Sequence, residues 1–378
     1  MSEAPVTYAA AGRRLLLLSP SSGLSGGIER VMDAVEAGWR GPVRREDLLR
    51  AAHPSGAMAP QGDRPVSRAE IARFTARVLR SAATSRPDVV VCGLLGLLPL
   101  ASAVAHPLRC KLVLLGYGLE VWGRIGPVER RLVRRCWKLL TISSYTAAAF
   151  GARTGVDPRE IRIVALPIAA SIEAAARAAG AVVAGHGERP PVVLTVSRLA
   201  RSDRFKGHFD IARCFGRVLE RRPDATWVVV GDGDDLPALR AECRRLGIDG
   251  AVTFTGPIGD GELIALYRTA AVFALPSYAD ADADPPVGEG FGLVYAEAGA
   301  FGLPIIAATP GGGSADFVTD GETGLTVPAH DVDALAAAIL RLLDEPGLRA
   351  ALGGRARSRA LERHTPAHFS DALHAALA

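Results

Sequence analysis

An α/β fold built from two Rossmann-like, doubly wound domains is the class this sequence predicts, and three observations predict it. Short apolar runs alternate with helical stretches along almost the whole chain, as parallel sheets covered on both faces require. The 378 residues, 49% of them hydrophobic, exceed what a single core usually organises. An alanine-rich stretch ending in Arg189-Pro190-Pro191 separates the two series of runs and reads as a linker.

In the first half the apolar runs predict strands at Arg14–Ser19, Asp88–Cys92, Lys111–Leu115, Leu139–Ile142 and Ile161–Ala165. In the second half they predict strands at Val192–Val196, Thr226–Val230, Ala251–Phe254, Val272–Leu275 and Pro304–Ala307. The linker is expected over Ala169 to Pro191, giving domains at 1–186 and 187–361 and a terminal helix at 362–378 free to pack back on the first domain. The uncharged stretch from Val89 to Ala105 is just too short for a membrane span and is interrupted by Gly93, Gly96 and Pro99, so it reads as a buried strand followed by a helix. In doubly wound sheets the default ligand position is at the carboxyl ends of the strands, here expected to face a central cleft.

Composition narrows the function classes. A net charge of +4 is too small for this length to signal nucleic-acid binding, and 6% aromatic residues argue against single-strand stacking platforms. The five cysteines (Cys92, Cys110, Cys136, Cys214, Cys243) are scattered and never form a C-x-x-C pair, which disfavours a disulfide framework or zinc site and fits a reducing cytoplasm. Arg13 and Arg14 precede only four leucines, too few for a signal-peptide core.

Four segments carry candidate chemistry. Ser19 to Val31 runs from a strand through glycines into a helix, pointing unpaired N–H groups at a possible anion, although such glycines are as often purely conformational. Arg198 and Lys206 flank a turn between a strand and a helix and could clamp a diphosphate; a solvated basic loop is the competing reading. Gly231 to Asp235 reads as a turn with helix-capping acids. Glu289 and Glu297 are separated by seven residues, and a helix starting near Phe291 would set them roughly 10 to 12 Å apart, suiting the two ends of one extended ligand. That is too far for a carboxylate pair acting on one glycosidic bond. Amides from Gly290 to Leu293 can hold hydroxyl or phosphate oxygens, and Glu297 can accept from a vicinal diol.

Taken in order, these segments resemble the retaining glycosyltransferases of the GT-B fold, glycosyltransferase family 4. Gly26-Gly-Ile-Glu-Arg-Val31, Tyr117-Gly-Leu-Glu-Val-Trp122, Ser197-Arg-Leu199, Arg204-Phe-Lys-Gly207, Glu289 to Glu297, Gly302-Leu-Pro-Ile-Ile306, Thr309 to Gly313 and Gly321 to Leu325 carry the resemblance over almost the whole chain. It implies an N-terminal acceptor-side domain and a C-terminal nucleotide-sugar domain. Arg198 and Lys206 look like the pair that neutralises the donor diphosphate. Glu289 and the Phe291-Gly292-Leu293 backbone look like the donor-sugar contacts, and Glu297 like the ribose acid. Gly26 and Gly27 would approach the diphosphate. Acceptor attack on the face the nucleotide leaves, with the departing phosphate taking the proton, removes the need for a side-chain base.

Tyr117 departs from the family pattern, in which histidine is frequent, and its reference pKa near 10 makes it a positioning group rather than a base. Glu120 is a further acceptor-side candidate. The resemblance implies hexose transfer from a nucleotide diphosphate sugar, with GDP-mannose preferred over a UDP-sugar, to a lipid-linked glycan in surface polysaccharide assembly. Neither a cofactor nor a metal is expected. Asp280-Ala-Asp-Ala-Asp284 reads as a solvated acidic loop, and His364 and His368 as surface residues. Arg124 to Lys138 predicts a basic amphipathic helix, striped by Val128, Leu132, Cys136 and Leu139, that could touch an anionic inner leaflet. A nucleotide-sugar 2-epimerase and a non-catalytic nucleotide-sugar-binding partner are the alternatives.

Overall fold

The computed structural model describes residues 12–22, 27–50, 66–180, 189–284 and 286–378. Among these residues twelve strands form two six-stranded sheets, parallel throughout. The first contains β1 (Leu15–Ser22), β2 (Val43–Arg50), β3 (Val89–Cys92), β4 (Lys111–Gly116), β5 (Lys138–Thr141) and β6 (Ile161–Ile163), ordered β2-β1-β3-β4-β5-β6. The second contains β7 (Val192–Val196), β8 (Thr226–Val230), β9 (Val252–Gly256), β10 (Val272–Ala274), β11 (Ile305–Thr309) and β12 (Gly324–Pro328), ordered β12-β11-β10-β7-β8-β9. The strand order reverses between β1 and β3 in one sheet and between β7 and β10 in the other. In doubly wound sheets that reversal opens a crevice at the carboxyl ends of the strands.

All ten expected strands are present. The two the sequence does not announce, β2 and β12, are both sheet edges. Central strands are covered on two faces and must be apolar, whereas an edge strand need not be. β2 reads Val-Arg-Arg-Glu-Asp-Leu-Leu-Arg, and its buried Glu46 and Asp47 are ion-paired with Arg77 and Arg45. The apolar stretch after Val89 becomes β3 and the helix Leu98–Ala105, and no helix among the described residues is long and apolar enough to cross a membrane.

Two compact units result, Met1–Leu166 with Pro366–Ala378, and Pro167–Thr365. The division near 186 thus shifts to Leu166. The helix Ala170–Ala178 packs on the second unit, where Arg268 and Arg357 donate to the carbonyls of Ala175 and Ala176 at 3.2 and 2.8 Å. Residues 181–188 of the expected linker lie outside the described residues. The terminal helix Pro366–Ala376 joins the first unit, where Ser370 Oγ donates to Gly38 O at 2.6 Å and Arg40 N donates to His374 Nε2 at 3.1 Å.

The basic segment from Arg124 to Lys138 is not one helix. Gly126 and Pro127 open a two-turn helix, Pro127–Val133, and Lys138 already begins β5. Its intended stripe disperses, with Val128 60% exposed and Leu139 buried in the sheet. His364 is also misplaced by the sequence reading: it is buried between the rings of Phe291 and Phe317, at centroid distances of 5.0 and 5.4 Å.

Candidate active site

Three loops meet at the carboxyl ends of adjacent strands in the second unit. The loop after β7 carries Arg198, Asp203 and Lys206, and the loop after β10 carries Glu289. The two are joined where Tyr278 N donates to Phe205 O at 2.9 Å. The loop after β11 supports Glu289 from beneath, since Gly313 N donates to Glu289 O at 2.8 Å and Gly312 bridges Glu289 as in a parallel sheet. Gly312 holds φ +66, and a Cβ there would stand 2.9 Å from Glu289 O, so any other residue would push the acid away.

Within this frame the charges alternate. Arg198 grips Asp203 with both arms of its guanidinium, at 2.8 and 3.0 Å, while remaining 61% exposed on its outer side. Lys206 Nζ lies 3.9 Å from Asp203 Oδ2 and 3.7 Å from Glu289 Oε2, with only 17% of the side chain exposed. Both distances exceed hydrogen-bond length, so its N–H donors remain available for a ligand oxygen. Burial, and then repulsion by Lys206, pull the pKa of His208 down to about 3. This ring is therefore neutral at pH 7, held 2.6 Å from Ser197 Oγ.

Arg204, another cation of the same loop, is spent elsewhere. Its guanidinium binds Asp235 in bidentate fashion at 2.6 and 2.7 Å, and that partnership holds the Asp235 carboxyl below its usual range. Asp235 occupies the cap position of the helix Leu236–Arg245 but makes no side-chain cap bond, so the expected capping role passes to an ion pair. Gly292 takes φ +79 to turn the chain into the helix Leu293–Ala300, and a Cβ there would collide with the ring of Tyr295. The first turn of that helix leaves N–H groups without intrahelical acceptors, beside Phe291 and Leu293. Glu297, one helical turn further on, turns inward: it is 1% exposed and accepts from Tyr267 OH at 3.2 Å.

The candidates of the first unit lie at the carboxyl ends of its strands. Tyr117 follows β4 with its ring buried and its hydroxyl 3.5 Å from Met32 Sδ. Burial, then the negative groups around Glu120, raise its pKa well above the ordinary value. Glu120 folds back on its own turn, accepting from Tyr117 N at 2.5 Å and Gly118 N at 3.3 Å, and burial raises its pKa. Gly27 opens the helix Gly27–Gly38; Gly26 lies outside the described residues.

Residues 181–359 match the family of glycosyl transferases group 1. A GDP-mannose-dependent alpha-(1-6)-phosphatidylinositol monomannoside mannosyltransferase of Mycobacterium tuberculosis is 32% identical over 342 residues, which cover 84% of this chain and 82% of that protein. The chain belongs to this family. The Mycolicibacterium smegmatis protein of the same description is 34% identical to this group 1 member, over 67% of this chain and 66% of its own length. A D-inositol 3-phosphate glycosyltransferase of Kribbella flavida is 33% identical over 60% of this chain and 52% of its own length. The likeness to Anabaena HepE, solved in complex with UDP-glucose, gives a TM-score of 0.72 at 19% identity over 97% of this chain and 99% of that one, and shows the GT-B fold.

Two features of this group 1 chain, one in each unit, escape the sequence reading. Asp203 is the acid that Arg198 and Lys206 share; its signal was an acid lying between two cations in one strand-to-helix loop. Glu29 is buried in the first helix and accepts from Ser21 Oγ, inside a motif that carried the resemblance but no assigned role. The acidic run closes on itself, with Asp280 Oδ1 accepting from Asp282 N and Ala283 N at 2.9 and 3.1 Å. No group of three or more metal-ligating side chains occurs among the described residues.

Proposed function

We propose that this chain is a retaining mannosyltransferase that moves mannose from GDP-mannose to a lipid-linked acceptor whose head group carries an inositol phosphate. The observation that carries the transferase reading is the Lys206 ammonium, held between Asp203 and Glu289 at the strand-order reversal with Arg198 alongside. Two cations there neutralise a diphosphate as its bond to the sugar breaks, with no metal assigned to the step. The bond from the anomeric carbon to the phosphate oxygen breaks, the bond to the acceptor oxygen forms on the same face, and the acceptor proton passes to the departing phosphate. Glu289 orients the sugar through its hydroxyls, and the first-turn amides near Leu293 take the remaining oxygens.

Support for the donor comes from the mycobacterial relatives, whose descriptions state GDP-mannose. Support for the acceptor is that phosphatidylinositol and inositol phosphate recur across the relatives' descriptions. These descriptions name phosphatidylinositol and inositol phosphate rather than a surface polysaccharide, so the acceptor reading moves to a glycolipid. A lipid acceptor also implies peripheral contact with the inner face of a membrane. Incubating the purified protein with GDP-mannose, UDP-glucose or UDP-N-acetylglucosamine and phosphatidylinositol-containing lipid tests the reading. Transfer from GDP-mannose with an α-linked product is expected. Turnover confined to a UDP-sugar, or C2 epimerisation without acceptor, overturns it.

A further inference from the structure

A cavity of about 650 Å³ opens on the first unit between the helices Pro127–Val133 and Ser144–Thr154. Its lining includes Arg130, Arg131, Arg134, Arg135 and Arg153, and no carboxylate. Two of the five are partly committed to the fold: Arg134 donates to Thr154 O at 3.0 Å and Arg153 to Trp122 O at 2.7 Å. Among the described residues no acid pairs with Arg130, Arg131 or Arg135. Arg14, Arg45, Arg198, Arg204 and Arg222, by contrast, each pair with an acid.

The position separates this cavity from the catalytic edge. Arg135 stands just before β5, and Thr154 and Gly155 end the helix that leads to β6. The cavity is therefore at the amino-terminal edge of the sheet, whereas Tyr117 and Ser143 mark the carboxyl edge at which doubly wound domains bind their substrates. Five like charges around one concavity repel one another and concentrate a positive potential, and the group that relieves both is a polyvalent anion. Guanidinium forks match phosphate oxygens in pairs. Val128, next to the lining residue Pro127, offers an apolar side chain to the surroundings.

We propose that this cavity is a second, non-catalytic phosphate-binding site, which takes the phosphate of an anionic lipid head group or the same group free in solution. It brings the charge of the segment 124–138 to a surface through a cavity between two helices rather than through one amphipathic helix. The inference does not rest on the transferase reading, and its readout uses no sugar donor, so the two can fail separately.

The test uses the full chain in three forms: wild type, the triple variant Arg130→Ala/Arg131→Ala/Arg135→Ala, and a control with the same charge loss, Arg221→Ala/Arg244→Ala/Arg363→Ala. Each is sedimented at low salt with phosphatidylcholine vesicles with and without phosphatidylglycerol, and titrated calorimetrically with inorganic phosphate. Wild type should favour the phosphatidylglycerol vesicles, and the cavity triple should lose that affinity by on the order of 100-fold, at about a fivefold factor per arginine, while the control loses little. Loss confined to vesicles assigns the site to lipid head groups; an accompanying loss of saturable phosphate binding extends it to the free anion. Equal binding of both probes by the cavity triple and wild type overturns the proposal, as does an equal loss in the control. The single variant Arg135→Glu, which leaves Arg134 and Arg153 on their carbonyls, repeats the measurement if the triple is unstable.

Discussion

Arg45 and Lys206 are both cations set among acids near the carboxyl edge of a sheet, one in each unit. Arg45 donates to Asp47 at 2.7 Å, to Glu36 at 3.1 Å and to Asp33, and it also ties down the Ser21 carbonyl at the end of β1. Those partners outweigh its burial and raise its pKa, so its charge is spent inside the fold. Lys206 has two acids near it and hydrogen-bonds to neither. The contrast extends to the neighbours: the first unit offers the neutral hydroxyl of Tyr117, and the second the outer side of Arg198. A closed charge network leaves no donor for a ligand, and an open one leaves N–H groups that can bind an anion.

The strongest way to break this contrast is to remove the open charges. Lys206→Ala and Glu289→Ala should each lower kcat/KM by about 1,000-fold, roughly 4 kcal/mol of transition-state stabilisation, while thermal unfolding still shows an intact protein. Lys206→Arg should recover only part of the rate, because a planar fork cannot replace a compact ammonium between two carboxylates. Rates close to wild type in both alanine variants would remove the second unit's claim to the diphosphate.

This division is partly legible in the amino-acid sequence. The buried central strands are readable because covered parallel strands must be apolar runs. β2 is not, because its Glu46 and Asp47 become burial-competent only through Arg77 and Arg45, and such pairing is decided by the fold. Arg198, Lys206 and Glu289 are readable as charges in strand-to-helix loops. That Arg204 is spent while Lys206 is open is not, since it depends on Asp235, 31 residues away in the chain and one strand across the sheet. Glu297 shows the same limit: spacing suggests how far it lies from Glu289, but its burial beside the hydroxyl of Tyr267, 30 residues away in the chain, is decided by the fold.

A second measurement sharpens the contrast through pH. His208 has a folded pKa near 3 against an unfolded value of 6.5, so between those values the unfolded chain binds the extra proton. Stability is then complete above pH 6.5 and falls as the pH drops towards 3, because the slope of unfolding free energy with pH follows the excess protons of the unfolded state. From pH 6.5 to pH 5 this amounts to about 2 kcal/mol. Urea unfolding of His208→Gln should show a flatter profile across that range than wild type. Identical slopes would mean that the ring is not held neutral beside Lys206.

The smallest effect is expected at Tyr117. If the first unit supplies no titrating group, Tyr117→Phe removes only a hydroxyl whose neighbour is the Met32 sulfur, a weak acceptor. The ring keeps its packing, and the cost should stay below about fivefold in kcat/KM, the worth of a modest neutral hydrogen bond. The pH profile of turnover should be unchanged, because a phenol with its pKa raised by burial stays protonated throughout the working range. A loss beyond a hundredfold, or a shifted alkaline limb, would place this hydroxyl on the reacting sugar and make the two units chemically alike where the structure makes them different.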